Sequence, residues 1–156
     1  FDAVVRRTAI VAKAAALLGI PILVTEQSPQ KLGATVAEVK AALPSSVQPL
    51  AKTSFSCCGA AGFDTALKSA GRHQIMLAGI EAHVCMNQTA HDLLADDLRV
   101  HLLCDCTSSR TAGNRELGIS KMLRDGCVPS GCEMALFELL RDATHEHFRA
   151  IQKLIR

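Results

Sequence analysis

The chain has 156 residues, near the size of one domain, and its 49% hydrophobic against 21% charged residues supply one core and argue against disorder. Seventeen basic and fifteen acidic residues, interspersed, leave a net charge of +2 and no basic face for nucleic acid. Five Phe without Trp or Tyr leave almost no platform for stacking bases, and no apolar run approaches the ~18 residues of a membrane span.

Residues 2–18 set Val4, Ile10, Val11, Ala14, Leu17 and Leu18 at helical spacing in an alanine-rich run, with Gly19 as its stop. Pro21 to Thr25 is a short continuous apolar run, the pattern of a strand buried on both faces. Residues 35–42 read as a helix stopped by Pro44, and Val47 to Ala51 as a second strand. A helix over 60–70 ends at Gly71, and Gln74 to Gly79 is the clearest strand in the chain. Then come a helix over 84–97, a strand from Val100 to Cys104 and a helix over 111–125. Cys127 to Pro129 is a candidate edge strand, followed by helices near 131–142 and 145–155. Alternation of this kind predicts a doubly wound α/β domain with a mostly parallel sheet. Ligands of such sheets bind beyond the carboxyl ends of the strands, which selects residues 25–27, 52–55, 79–85 and 105–110.

The seven cysteines are odd in number and lack zinc-knuckle or thioredoxin-like spacing, which fits a reducing cytosol and mostly buried thiols. One is placed for chemistry. Gly79-Ile80-Glu81-Ala82-His83-Val84-Cys85 runs from strand through a tight turn into a helix, so Cys85 falls where free N–H groups and the helix dipole favour a thiolate. A thiolate attacks carbonyl carbon, and the neighbouring amides could cradle an oxyanion. The plain alternative is a Cys that fills space. Lys52 ends the second strand and would project into the same crevice, where its ammonium favours a thiolate. The plain alternative is a solvated strand terminus.

Together VTEQSPQKLG (24–33), PLAKTSFS (49–56), GIEAHVC (79–85), CDCTSSR (104–110) and HFRAIQKLI (147–155) resemble the isochorismatase-like hydrolase superfamily, and within it the isochorismatase domain-containing branch. The resemblance runs over essentially the whole chain. It implies a six-stranded parallel sheet of order 3-2-1-4-5-6 with helices on both faces, and an Asp-Lys-Cys triad in which Cys85 is the nucleophile and Lys52 the lysine. It also implies a non-proline cis peptide between Ile80 and Glu81, with the turn of Ile80, Glu81, Ala82 and Cys85 forming the oxyanion hole. His83, Phe55 and Arg110 are candidates to contact substrate; an ordinary turn histidine and an exposed loop arginine are the alternatives. Glu81 stands where amidase members carry a small residue, so it narrows the pocket, offers an acceptor or pairs with Arg110. Asp105 ends a strand and reads as a cap for the following segment, with support of the site as the alternative.

Two departures qualify the resemblance. The family's triad aspartate precedes the first long helix, where this sequence starts, and Asp2 reads only as a residue opening that helix. The expectation is therefore one domain over residues 1–156, incomplete at its N-terminus, with the aspartate and a central strand upstream and a divided sheet without them. Second, Thr25 to Pro29 replaces the Asp-x-His metal-ligand pattern of the nicotinamidases, and no His occurs between Phe1 and Arg72, so neither metal nor other cofactor is expected. The function that follows is hydrolysis of a small amide or related carbonyl compound by a cytoplasmic homo-oligomer, dimer or tetramer, with no nucleic-acid or membrane partner. The alternatives are a catalytically inactive fold kept as a ligand-binding or protein-interaction module, and a thiol redox sensor built on Cys85.

Overall fold

In the computed structural model, which describes residues 2–156, α1 (Asp2–Leu17) leads to β1 (Thr25–Gln27), α2 (Pro29–Leu32), α3 (Ala37–Lys40) and β2 (Leu50–Lys52). There follow α4 (Phe63–Ala70), β3 (Gln74–Ile80), a π-helical turn (Ala82–Met86), α5 (Asn87–Ala95) and β4 (Arg99–Ser108). The chain then forms α6 (Ala112–Arg124), β5 (Val128–Ser130), α7 (Cys132–Leu140) and α8 (Phe148–Ile155). Every described strand pairing is parallel, and the helical connections supply the long crossovers that parallel neighbours require. The strands form two sheets, β1–β2 and β3–β4–β5, and no described strand joins them.

β4 shows why helices cover both faces. Side chains alternate along a strand, so Val100 and Leu102 enter one core with Leu77, Leu93 and Met122, whereas Leu103 enters another with Ala14, Leu136 and Ile151; Cys106 joins the second core beyond the irregular stretch of β4, where the alternation changes phase. α5 and α6 contribute to the first core, and α1, α7 and α8 to the second. The alanines of α1 let its backbone lie close: Ala12, Ala14 and Ala15 are buried. Asp105 ties this second layer together. Its Oδ1 accepts the Cys132 amide at 2.8 Å, capping α7 where the N-cap Gly131 has no side chain to do so, and its Oδ2 meets Arg7 of α1 at 2.7 Å.

Several boundaries differ from the sequence reading, and three of them have a physical reason in the packing. Pro21 to Val24 precedes the strand, whose ladder starts where the Leu50 amide reaches the Val24 carbonyl at 2.9 Å; Pro21 has no N–H to contribute. β4 continues past Cys104 to Ser108 through a register shift: β3 advances from Leu77 to Gly79 while β4 advances from Leu102 to Thr107. The carbonyls that the shift frees are satisfied laterally, Cys104 and Thr107 by the Arg115 guanidinium and Leu103 by Thr107 Oγ1 at 2.9 Å. Finally, the last helix begins at Phe148 rather than 145, because Asp142 binds the Thr144 amide and hydroxyl at 2.7 and 2.6 Å and holds that stretch in a turn.

Candidate active site

Lys52 is the last residue of β2, and the parallel register sets it beside Gln27, the last residue of β1. It is 6% exposed, so its ammonium must find partners inside the protein. It finds three: Nζ donates to Gln27 Oε1 at 2.6 Å, the Ser54 carbonyl at 2.9 Å and the Phe55 carbonyl at 2.8 Å. All three N–H bonds are thereby engaged. The fourth neighbour is Cys85 Sγ at 3.8 Å, and that sulfur lies 4.0 Å from Gln27 Oε1. Cys85, Lys52 and Gln27, far apart in sequence, thus converge at one end of the strands.

The turn that delivers Cys85 has unusual geometry. The Ile80–Glu81 peptide is cis, and Ala82 to Met86 form a π-helical turn that passes directly into α5. The helix therefore starts earlier than the sequence reading has it and is π-helical where Cys85 sits. The Glu81 carbonyl accepts the amides of Val84 and Met86 at 3.1 and 3.2 Å, while the Cys85 amide between them does not bond that carbonyl. Buried Ala82 and Met86 anchor the turn. Gly79, at φ 137°, holds a backbone conformation that side-chain-bearing residues rarely adopt, just before the turn. Behind the turn lies Gly118 of α6. A Cβ there would stand 2.6 Å from the Ala82 carbonyl carbon and 2.7 Å from the His83 nitrogen.

Around this centre, Glu81 Oε2 accepts from Arg110 Nε at 3.0 Å and lies 3.6 Å from His83 Nδ1. His83 Nδ1 in turn meets Ser109 Oγ at 3.1 Å. Phe55 contributes its carbonyl to Lys52 but leaves its side chain largely exposed, as does Ile80. The candidate residues are therefore distributed: Cys85 and Lys52 are neighbours, while Glu81, His83 and Arg110 form a separate polar group on the flank of the turn. Asp2 is exposed in the first turn of α1.

Two residues here escaped the sequence reading as site members. Gln27 lies in the 25–27 segment selected at the end of a strand, but nothing singled it out within that segment, since a glutamine ending a strand is ordinary. Gly118 sits in a helix whose sequence shows no packing requirement at that position. The loop beyond Gln27 is tied back by Glu26, whose carboxylate accepts the Thr35 amide and hydroxyl, both at 2.7 Å; these bonds hold its carboxyl below the usual range.

All seven cysteines are free. Burial pushes the Cys58 thiol up and Cys127 up to about 11, and the hydrogen bond with Cys132, followed by burial, pushes Cys106 up. Among the described residues, no group of three or more His, Cys, Asp or Glu could hold a metal ion, and no helix is long and apolar enough to cross a membrane. Two apolar clefts, one lined by Ile22, Val24 and Leu50 and the other by Lys13, Leu43 and Leu154, contain neither Lys52 nor Cys85. The chemistry rather than the concavity locates the site: no cysteine lines either cleft.

Comparison with known proteins agrees with this architecture. Residues 1–133 match the family model described as the isochorismatase domain. The chain belongs to the isochorismatase family. This family member is 38% identical to isochorismatase domain-containing protein 2 of Bos taurus over 156 residues, covering 100% of this chain and 74% of that protein. A structure described as the MAR1 ribonuclease of Caenorhabditis elegans superposes with a TM-score of 0.93 at 37% identity, over 99% of this chain and 79% of the other. The YcaC gene product of Escherichia coli, described as an octameric hydrolase of unknown specificity, shares the fold with a TM-score of 0.86 at 19% identity, over 99% of this chain and 81% of that one. The isochorismatase-family fold is that of a hydrolase.

Proposed function

We propose that the protein hydrolyses the C–N bond of a small amide, or the equivalent bond of a related carbonyl compound, with Cys85 as nucleophile. The observation that carries this reading is the buried Lys52 ammonium 3.8 Å from Cys85 Sγ. A desolvated cation so placed favours negative charge on sulfur. In this scheme the Cys85 thiol gives its proton to a carboxylate, and the sulfur forms a bond to the substrate carbonyl carbon. The resemblance assigns that carboxylate to an aspartate ahead of residue 1; among the described residues, Lys52 Nζ and Cys85 Sγ bond no carboxylate. The oxyanion is held by amides of the turn, the Cys85 N–H among them. Collapse breaks the C–N bond, and the amine departs with the proton from the carboxylic acid. Water then adds to the thioester, releasing a carboxylic acid and the free thiol.

The engagement of all three Lys52 donors sharpens its role. It stabilises charge on the sulfur across 3.8 Å rather than clamping the substrate. The same engagement argues against the phosphodiester chemistry that the name of the Caenorhabditis elegans relative suggests, because a transferring phosphoryl group calls for free cationic donors. We further propose a homo-oligomer, in keeping with exposed Leu117 and Met134 and with the octamer described for the Escherichia coli neighbour.

The test is a panel of small amides, with an RNA oligonucleotide as a separate arm, applied to the full natural chain and its Cys85→Ala variant. Amide turnover falling at least a hundredfold in Cys85→Ala is expected. Turnover that survives the substitution would remove Cys85 as nucleophile, and a chain that binds amides without turning any over would return it to the binding-module reading.

A further inference from the structure

We propose that Gln27 is a positioning residue that tunes the Cys85 nucleophile: it keeps one hydrogen of the Lys52 ammonium off the sulfur, so that Lys52 favours negative charge there without binding it directly. This role rests on the hydrolase reading for what the sulfur attacks, but its geometry stands separately.

The orientation of the Gln27 carboxamide is decided at both ends. Nε2 donates to the Thr53 carbonyl at 2.9 Å, and Oε1 accepts from Lys52 Nζ at 2.6 Å. Turned over, the amide would set its NH2 against an ammonium and its oxygen against a carbonyl, so only this orientation is satisfied. An ammonium has three hydrogens, and Gln27, Ser54 and Phe55 accept all of them. Cys85 Sγ, at 3.8 Å, is a fourth neighbour with no hydrogen left to it. The same Gln27 Oε1 lies 4.0 Å from the sulfur and presents it with an acceptor. Both effects oppose charge on sulfur: Gln27 withholds a donor and favours the S–H form. Without that oxygen the buried ammonium has one unsatisfied hydrogen, and among the described residues the acceptor that remains beside Nζ is Sγ. The other titratable groups of these segments are engaged elsewhere: Glu26 with Thr35, Cys57 with Thr25, Glu81 with Arg110 and His83 with Ser109. A sulfur becomes a weaker nucleophile as its thiol becomes more acidic, so the withheld hydrogen leaves Cys85 the stronger attacking group once ionised.

The pH profile of Cys85 alkylation by iodoacetamide tests this without a known substrate. The S–C bond forms, the C–I bond breaks, iodide leaves and the thiol proton goes to solvent. Rates at Cys85 are followed by peptide mass spectrometry in the full natural chain and in its Gln27→Met and Gln27→Glu variants, with a urea titration of each to establish folding. Gln27→Met keeps the length of the side chain without its oxygen. The midpoint of its profile should fall by about one pH unit, and the high-pH plateau by about threefold. Gln27→Glu keeps an acceptor for Lys52 Nζ and adds a negative charge beside the sulfur, so its midpoint should rise by about one unit or more. Every group other than residue 27 is common to the three proteins, so the differences between profiles report that residue. A midpoint that rises or stays in Gln27→Met would overturn the proposal, because Gln27 would then only anchor Lys52. So would an unmoved profile in Gln27→Glu, which stands as the test by itself if Gln27→Met does not fold. Amide turnover that survives Cys85→Ala, with both midpoints moving as described, would overturn the hydrolase reading and leave the role of Gln27 standing.

Discussion

Lys52 illustrates how a buried charge becomes chemically useful. A lone ammonium inside a protein is strongly disfavoured, and here two backbone carbonyls and the Gln27 amide oxygen replace its water shell. The sulfur of Cys85 then sits beside a cation whose position those three acceptors fix. Lys52→Met should slow Cys85 alkylation by iodoacetamide about tenfold or more near neutral pH, and should lower stability, since each buried acceptor left unpaired costs about 1–3 kcal/mol. Alkylation rate and urea midpoint, measured on the same preparation, separate the two effects. If the rate is unchanged while stability falls, Lys52 is a structural anchor only. Gln27 completes the arrangement by bridging Lys52 Nζ to the Thr53 carbonyl, with Nε2 donating at 2.9 Å. Its role is invisible in the sequence because any polar residue can end a strand.

At the scale of elements, the site depends on α6 being able to touch the Cys85 turn. The turn presents backbone, not side chain, to Gly118, and backbone cannot swing aside. Gly118→Ala should therefore displace the turn, costing about 1–3 kcal/mol of stability and slowing Cys85 alkylation. Gly113, in the same helix but with nothing within 4 Å of an added Cβ, supplies the control: Gly113→Ala should be neutral or stabilising and leave alkylation unchanged. Equal effects of the two substitutions would mean that helix propensity, not contact with the turn, governs the response. Arg115 of the same helix also supports the shifted stretch of β4, which explains why the strand outruns its sequence signature. Periodicity reports which residues face a core, but a register shift is stabilised by a side chain from another element.

For the whole molecule, Asp105 joins the layers. It closes β4 onto α7 through the Cys132 amide and onto α1 through Arg7. Asp105→Ala should lower the denaturation midpoint by an amount equivalent to about 0.5–2 kcal/mol, the usual cost of a lost helix cap. Arg7→Ala should do much less, because Arg7's side chain is 51% exposed and surface pairs contribute little. Cys85 alkylation below the transition should be unaffected by either. An Arg7→Ala loss as large as that of Asp105→Ala would show the ion pair, rather than the cap, to be the tie.

The alternation of strands and helices, the parallel class of the sheet and the helices against both faces are all legible in the amino-acid sequence. These follow from local patterning: the short continuous apolar runs of the strands, the alanine-rich stripe of α1, and glycine and proline at the ends of elements. It also singled out Cys85 and Lys52, because each follows a strand whose carboxyl end is where such folds bind ligands. Only the tertiary structure decided their separation, the engagement of every Lys52 donor, the pairing of Arg110 with Glu81 and the contact of Gly118 with the turn. Each of these is a distance between elements remote in sequence, set by how β1, β2, the Cys85 turn and α6 pack. Patterning reports which way a residue faces, but not which partner it meets there.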